Sequence, residues 1–273
     1  MATQFGVKAK KGLGQHFLVD ETIAQKITDS LILTNNNPDN KLQVLEIGPG
    51  TGVLTKYLLN NPTIKLEVAE IDDESIEYLQ KTYPQLLYTL QKRDFLQVPL
   101  NMIFKGDFAV IGNFPYNISS QIFFKILDYK EIIPQVVCML QKEVAERLAS
   151  PPGNKSYGIL SVLLQAWYNI EYLFTVNEGV FLPPPKVKSG VIRLTRNSRT
   201  DLGCNSDYFK KVVKACFNQR RKTIRNSIKP LLATTNCQLQ LKDYPQNIMS
   251  LLEKRPEQLS VEQFIELTQY FFN

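Results

Sequence analysis

The chain has 273 residues, 44% of them hydrophobic, enough for one large domain and a small one, and no apolar run reaches the roughly 18 residues of a membrane span. A single histidine, His16, leaves a His-based hydrolase or a His-rich metal site one candidate at most, and the cysteines (Cys138, Cys204, Cys216 and Cys237) show no metal spacing, so reduced cytosolic thiols are expected. The net charge of +6 and a pI near 9.0 point to a polyanionic partner.

The first twenty residues carry Lys8, Lys10 and Lys11 with no apolar stretch behind them, so no secretory signal is expected. Lys8 to Phe17 (Lys-Ala-Lys-Lys-Gly-Leu-Gly-Gln-His-Phe) reads as a flexible basic arm that closes over something anionic. Asp20 is a plausible cap for a helix to Leu33, on the spacing of Ile23, Ile27 and Leu31, and Asn35 to Asn40 is a loop.

Val44 to Ile47 is a short apolar strand that runs into Gly48-Pro49-Gly50-Thr51-Gly52 and then a helix from Val53 to Leu59. A glycine-rich turn between strand and helix lets a ligand approach the backbone, although GxGxG is not the dinucleotide pattern GxGxxG. The next strand, Leu66 to Ile71, places Glu70 at its end, where an acid grips a ribose diol. A plain helix-start acid is the other reading of Glu70, but Asp72 and Asp73 already fill that role. A third strand near Leu87 to Leu90 leads into Arg93-Asp94-Phe95. Asp94 could accept from an adenine amino group while Phe95 packs on the ring; a loop Asp beside a core Phe fits as well.

The fourth strand, Phe108 to Gly112, ends in Asn113-Phe114-Pro115-Tyr116, and a helix starts at Asn117 to Ser120. This turn therefore sits at a strand's carboxyl end, where open α/β sheets bind ligands. The Asn113 side-chain carbonyl and the Phe114 main-chain carbonyl can point the same way, because the residue before a proline is extended. Two acceptors on the N–H groups of an exocyclic amine would favour a pyramidal nitrogen and stabilise its developing charge as it attacks. Tyr116 could stack on the base. The bland alternative is a turn with Asn starting a helix and Tyr in the core.

Pro134 to Leu140 is a fifth strand, Ile170 to Val176 a sixth, and Gly190 to Leu194 a seventh that could return as a hairpin. Between the last two, Phe181-Leu182-Pro183-Pro184-Pro185-Lys186-Val187 is stiff and presents Phe181 near the sheet edge, or is a surface polyproline connector. Repeating βα units predict an α/β fold with a doubly wound, mainly parallel sheet. Arg196 to Asp207 reads as a linker, giving domains 1–197 and 198–273. The second domain is helical over Tyr208–Asn218, Arg221–Leu232, Pro245–Leu252 and Ser260–Phe272, with Ser260 and Gln263 forming a capping box. From Tyr208 to Pro230 there are eight basic residues, including Arg220, Arg221, Lys222 and Arg225, and no acid, which favours a phosphate-binding surface over a solvated face.

Taken together, these residues resemble the ribosomal RNA adenine N6,N6-dimethyltransferases of the small-subunit (KsgA) type, from about Lys10 to the last helix. The likeness is carried by Gly14-Gln15-His16-Phe17-Leu18, Glu46-Ile47-Gly48-Pro49-Gly50, Gly112 to Ser119, Leu140 to Val144, Pro183 to Val187 and, most specifically, the stretch from Phe217 to Ile228. The resemblance implies a seven-stranded Rossmann-like domain that uses S-adenosylmethionine and no metal. His16 and Leu18 would line the methionine end, Gly48 the turn beneath it, Glu70 the ribose, Asp94 the adenine, and Asn113 both donor and target amine. Phe181 would help sandwich a flipped base opposite Tyr116. Lys10, Lys11, Arg220, Arg221, Lys222 and Arg225 would contact RNA. The implied partner is 16S rRNA within the small subunit or its precursor, methylated on two adjacent adenosines of the 3′-terminal hairpin loop; the thiols point to the cytoplasm, and a monomer is the default expectation. His16 stands where the family usually has Asn, Phe114 where Leu is commoner, and Lys188 where Asp is frequent. The alternatives are a large-subunit rRNA adenine methyltransferase of the macrolide-resistance type and a non-catalytic assembly factor on the same fold.

Overall fold

The computed structural model describes residues 3–33, 41–234 and 244–272, so the expected loop Asn35–Asn40 and Cys237 lie outside the described residues. The central sheet has seven strands: β1 (Leu42–Ile47), β2 (Ile64–Glu70), β3 (Leu90–Lys92), β4 (Ala109–Asn113), β5 (Gln135–Gln141), β6 (Tyr168–Val176) and β7 (Ser189–Arg196). Their order in space is β3-β2-β1-β4-β5-β7-β6. β1 pairs in parallel with β2 and β4, β2 with β3, and β4 with β5, while β7 runs antiparallel to β5. This is the expected doubly wound, mainly parallel sheet. The winding reverses between β1 and β4, and that reversal opens a crevice at the strands' carboxyl ends.

The middle strands read as unbroken apolar runs because helices cover both faces of a parallel sheet. Val110, Ile111 and every residue from Val136 to Leu140 have no exposed surface. Helix α1 (Glu21–Thr28) precedes the sheet, and the crossover helices are α2 (Thr55–Asn60), α3 (Asp73–Thr82) and α4 (Ser119–Asp128). Each turns an apolar stripe inward; on α4 that stripe includes Ile122, Phe123 and Ile126, all fully buried. Asp20 caps α1 by accepting from the Ile23 N–H at 3.0 Å, as its position predicted.

Two expectations need correction. The third strand begins at Leu90, not Leu87, because Leu87 and Tyr88 face solvent at 58% and 86% exposure and precede the ladder. The basic arm is not loose: Thr3–Gln4 pairs with Val7–Lys8, and Phe17–Leu18 pairs with Phe181–Leu182. The seventh strand returns beside the sixth, as expected, and in doing so lies between β5 and β6.

Contacts separate a second unit, residues 147–168 with 197–273, from the sheet unit. Helix α5 (Lys142–Ala149) crosses the boundary; the second unit holds α6 (Ile159–Gln165), α7 (Ser206–Asn218), α8 (Ile224–Thr234), α9 (Gln246–Leu252) and α10 (Val261–Phe272). A division at 197 alone assigns Arg147–Tyr168 to the sheet unit. That stretch instead belongs with the helices, where Tyr157 packs edge-on against Phe217 and the Asn197 N–H bonds the Trp167 carbonyl. Ser260 and Gln263 form the capping box of α10, with reciprocal bonds of 3.1 and 3.3 Å. α8 starts three residues later than its periodicity suggested, because the Lys222 N–H closes a turn on Gln219 and the Ile224 N–H bonds Lys254.

Candidate active site

The crevice holds a cavity of about 260 Å³, lined by the arm, the ends of β1, β2 and β4, and the segment after β3. At the end of β1 the chain turns through Gly48 with φ at +63°, a conformation that favours glycine. A Cβ built there would meet nothing within 4 Å, so the backbone of the turn lies open to a ligand.

Two carboxylates sit under this turn. Glu70, at the end of β2, is 5% exposed and accepts from the N–H groups of Gly50, Ile71 and Asp72 at 3.2, 2.8 and 3.0 Å. Burial pushes its carboxyl above the ordinary range, and those three N–H donors oppose the rise. Glu46 is 1% exposed; Thr55 donates to one of its oxygens at 2.7 Å and the other has no partner. Burial raises the Glu46 carboxyl to about 8, against the pull of the Thr55 hydroxyl, and the neighbouring Glu70 charge adds to the rise. Asp94 accepts from the Leu96 N–H and from Gln97, each at 2.9 Å, which fixes its loop beside the buried Phe95.

The turn after β4 is held from two sides. Asn113 donates its side-chain amide to the His16 carbonyl at 3.0 Å. A carbonyl only accepts, so the NH₂ end faces His16 and the amide oxygen is the end left over. The Phe114 ring is fully buried against Phe123 and its N–H bonds Met139 at 2.9 Å, which fixes the main chain of the turn beside the cavity. Tyr116 stacks on His16 with ring centroids 5.6 Å apart, and its hydroxyl lies 2.6 Å from that of Ser189. The His16 Nδ1 is 2.8 Å from the Pro183 carbonyl, so this nitrogen carries the proton. Histidine at this position thus joins the arm, the catalytic-type turn and the proline segment.

The arm is stitched to the start of α3 through Asp72, which is 2% exposed. Asp72 pairs with Lys10 and accepts from Gln15 at 3.2 Å and Ser75 at 2.9 Å. Burial pushes Asp72 up, but these donors outweigh it and hold the carboxyl below its usual value. Lys10 also pairs with Glu74 at 3.3 Å. Its charge is therefore engaged within the chain rather than presented to a phosphate, while Lys11 is exposed.

Of the residues singled out from sequence, His16, Leu18, Gly48, Glu70, Asp94, Asn113, Phe114, Pro115 and Tyr116 all line the one cavity. Phe181 does not. Its pairing with Leu18 turns the ring into the core at 3% exposure, and the ring beside Tyr116 is His16 instead. In the helical unit Arg221 and Lys222 are exposed and Arg225 half-buried, whereas Arg220 donates to the Lys155 carbonyl and lies 3.7 Å from Glu257. Sequence reading missed Asp72 as the anchor of the arm and Ser189 as the partner of Tyr116. Neither carries a local signal, because each partner comes from a distant part of the chain. Among the described residues no group of three or more His, Cys, Asp or Glu could hold a metal ion, and no helix is long and apolar enough to cross a membrane.

The sheet order, the glycine turn over two acids and the Asn-Phe-Pro-Tyr turn define a methyltransferase with a Rossmann-like fold. Residues 6–271 match the family described as ribosomal RNA adenine dimethylase, and the chain belongs to that family. It is 59% identical to the ribosomal RNA small subunit methyltransferase A of Parabacteroides distasonis, over 96% of this chain and 93% of that one. The protein of the same name from Cytophaga hutchinsonii is 58% identical, over 96% of both chains. Among solved structures, a dimethyladenosine transferase from Plasmodium falciparum superposes with a TM-score of 0.73 at 27% identity, covering 94% of this chain and 97% of that one. The 23S rRNA methyltransferase ErmE shares the fold, with a TM-score of 0.66 at 24% identity, over 93% of this chain and 99% of that one.

Proposed function

We propose that the protein transfers methyl groups from S-adenosylmethionine to the N6 amines of two adjacent adenosines in the 3′-terminal hairpin loop of 16S rRNA, twice on each. In this reading it acts as a cytoplasmic monomer on the small subunit or its precursor and takes part in that subunit's biogenesis. The observation that carries the reading is the Asn113 amide: its nitrogen is spent on the His16 carbonyl, and its oxygen remains at the end of β4 beside the Phe114 main chain.

The residues present fit the methyl donor. Glu70 stands where a ribose diol needs an acceptor, Asp94 where an adenine amino group does, and the open backbone at Gly48 admits the chain between them. When bound, S-adenosylmethionine supplies an electrophilic methyl group on a sulfonium. Asn113 and the Phe114 carbonyl would take the N–H groups of the target amine, favour a pyramidal nitrogen and stabilise the positive charge that grows on it, and the acidic N-methylated amine then releases its proton to water. Tyr116 offers its ring for stacking the base, and a looped adenine is easier to extrude than a paired one. Catalysis by positioning and by acceptors needs no side-chain base, which agrees with a lone histidine whose Nδ1 is committed to Pro183.

The small-subunit substrate is favoured over the large-subunit one by the 58–59% identity to proteins named small subunit methyltransferase A, against 24% to ErmE. The test is methyl transfer from labelled S-adenosylmethionine to small subunits lacking the modification, followed by nucleoside analysis. N6,N6-dimethyladenosine in the 3′-terminal hairpin supports the reading. Binding of the particles without transfer replaces it with a non-catalytic assembly factor.

A further inference from the structure

Tyr116 follows a proline in a turn, yet its ring is fixed at both ends. One neighbour is the His16 ring, and the phenol hydroxyl reaches Ser189 at 2.6 Å. Ser189 has no exposed surface and opens β7, where it pairs in register with Gln141 of β5. The adjoining backbone is held and closely packed. Lys188 accepts from the Lys142 N–H at 2.9 Å, and a Cβ on Gly190 would lie 2.8 Å from that of Ala145 and 2.9 Å from the Tyr172 ring. Ser189 is thus a hydroxyl on a rigid strand, aimed at the tip of a ring on a turn.

We propose that Ser189 is a positioning residue for the target base: its hydroxyl sets the tilt of Tyr116, with His16 backing one face of the ring and the opposite face left for the adenine. This deepens the proposed function and rests on it. A stacking ring that can swing still holds a base, but loses the angle that brings N6 to Asn113 and in line with the methyl group. The angle matters most for the second transfer to each amine, when one N–H has already been replaced by a methyl and a single hydrogen is left for the acceptors to hold. Ser189 is not among the residues that line the cavity, so it acts through Tyr116.

The experiment is a double-mutant cycle of Ser189→Ala and Tyr116→Phe, read by single-turnover methyl transfer to unmodified small subunits and by the ratio of mono- to dimethyladenosine. One buried hydroxyl–hydroxyl bond corresponds to about a three- to tenfold loss of rate. Each single variant should lose that factor and accumulate monomethyladenosine, the double variant should be no slower than either, and binding of S-adenosylmethionine should stay at the wild-type value in all three. Losses that multiply in the double variant, or an unchanged product ratio, overturn the proposal and leave Ser189 as strand packing. Ser189→Cys, close in size and weaker as a hydrogen-bonding partner, provides the same comparison if the alanine variant does not fold, with an intermediate product ratio expected. If the wild-type protein itself transfers nothing, the proposed function fails, and this inference falls with it.

Discussion

At the scale of single residues, the proposed function separates a group that would act on the substrate from one that acts on the fold. Asn113→Ala should lower methyl transfer by about 10²–10³-fold, the usual cost of removing one group that stabilises developing charge, while calorimetry shows near-normal binding of S-adenosylmethionine. Wild-type turnover in this variant would remove the acceptor role. Glu46 behaves differently. Folded, it keeps its proton up to about pH 8, whereas the unfolded chain releases it near 4.5. Its contribution to stability is therefore complete below pH 4.5, falls as pH rises, and is gone above about pH 8. Glu70 shifts in the same direction and Asp72 in the opposite one, so the comparison must be made at Glu46 alone. Glu46→Gln, which stays neutral, should lose less melting temperature than the wild type between pH 5 and 9. Parallel curves would mean that Glu46 is ionised in the folded protein.

At the scale of elements, the arm and the sheet edge depend on contacts that sequence does not advertise. The strands β1, β2 and β4 were legible because apolar-rich runs ending in a glycine turn, an acid or Asn113 have few other readings, and with them came the places of Gly48, Glu70 and Asn113. The ordering of the arm was not legible, since Phe17–Leu18 pairs with Phe181–Leu182 from the far side of the sequence and Lys10 finds Asp72 across the β2 turn. The same pairing buried Phe181, which the stiff proline-rich segment had suggested was presented near the sheet edge. Asp72→Ala should release Lys10 and Gln15, expose the arm to trypsin at Lys10 and Lys11, and weaken donor binding on the order of tenfold, the worth of one charge-assisted bond. Unchanged proteolysis would show that the arm is held elsewhere. Gly112→Ala tests the join of β1 and β4: its Cβ would stand 2.5 Å from the Ile47 carbonyl. Urea unfolding should reveal a loss of about 1–3 kcal/mol, and an unchanged midpoint would mean that the two strands separate freely.

At the scale of the whole molecule, net charge predicts a polyanionic partner, but only the structure sorts the cations that can serve it. Lys10 and Arg220 are engaged inside their own units, so counting lysines and arginines overstates the surface they form. Arg221 and Lys222 are exposed in the turn before α8, and no acid lies within the basic stretch to offset them. If they meet phosphates, each contact displaces condensed counterions and adds about 0.7–0.9 to the slope of log affinity against log salt. Reversing both to Glu should therefore weaken binding to small subunits at low salt and flatten that slope by about 1.4–1.8. The comparison is specific, because Arg220→Ala should change the slope little while disturbing the contacts with Lys155 and Glu257. A slope that survives the double reversal would move the RNA-binding face away from this turn and leave the basic stretch as a solvated surface.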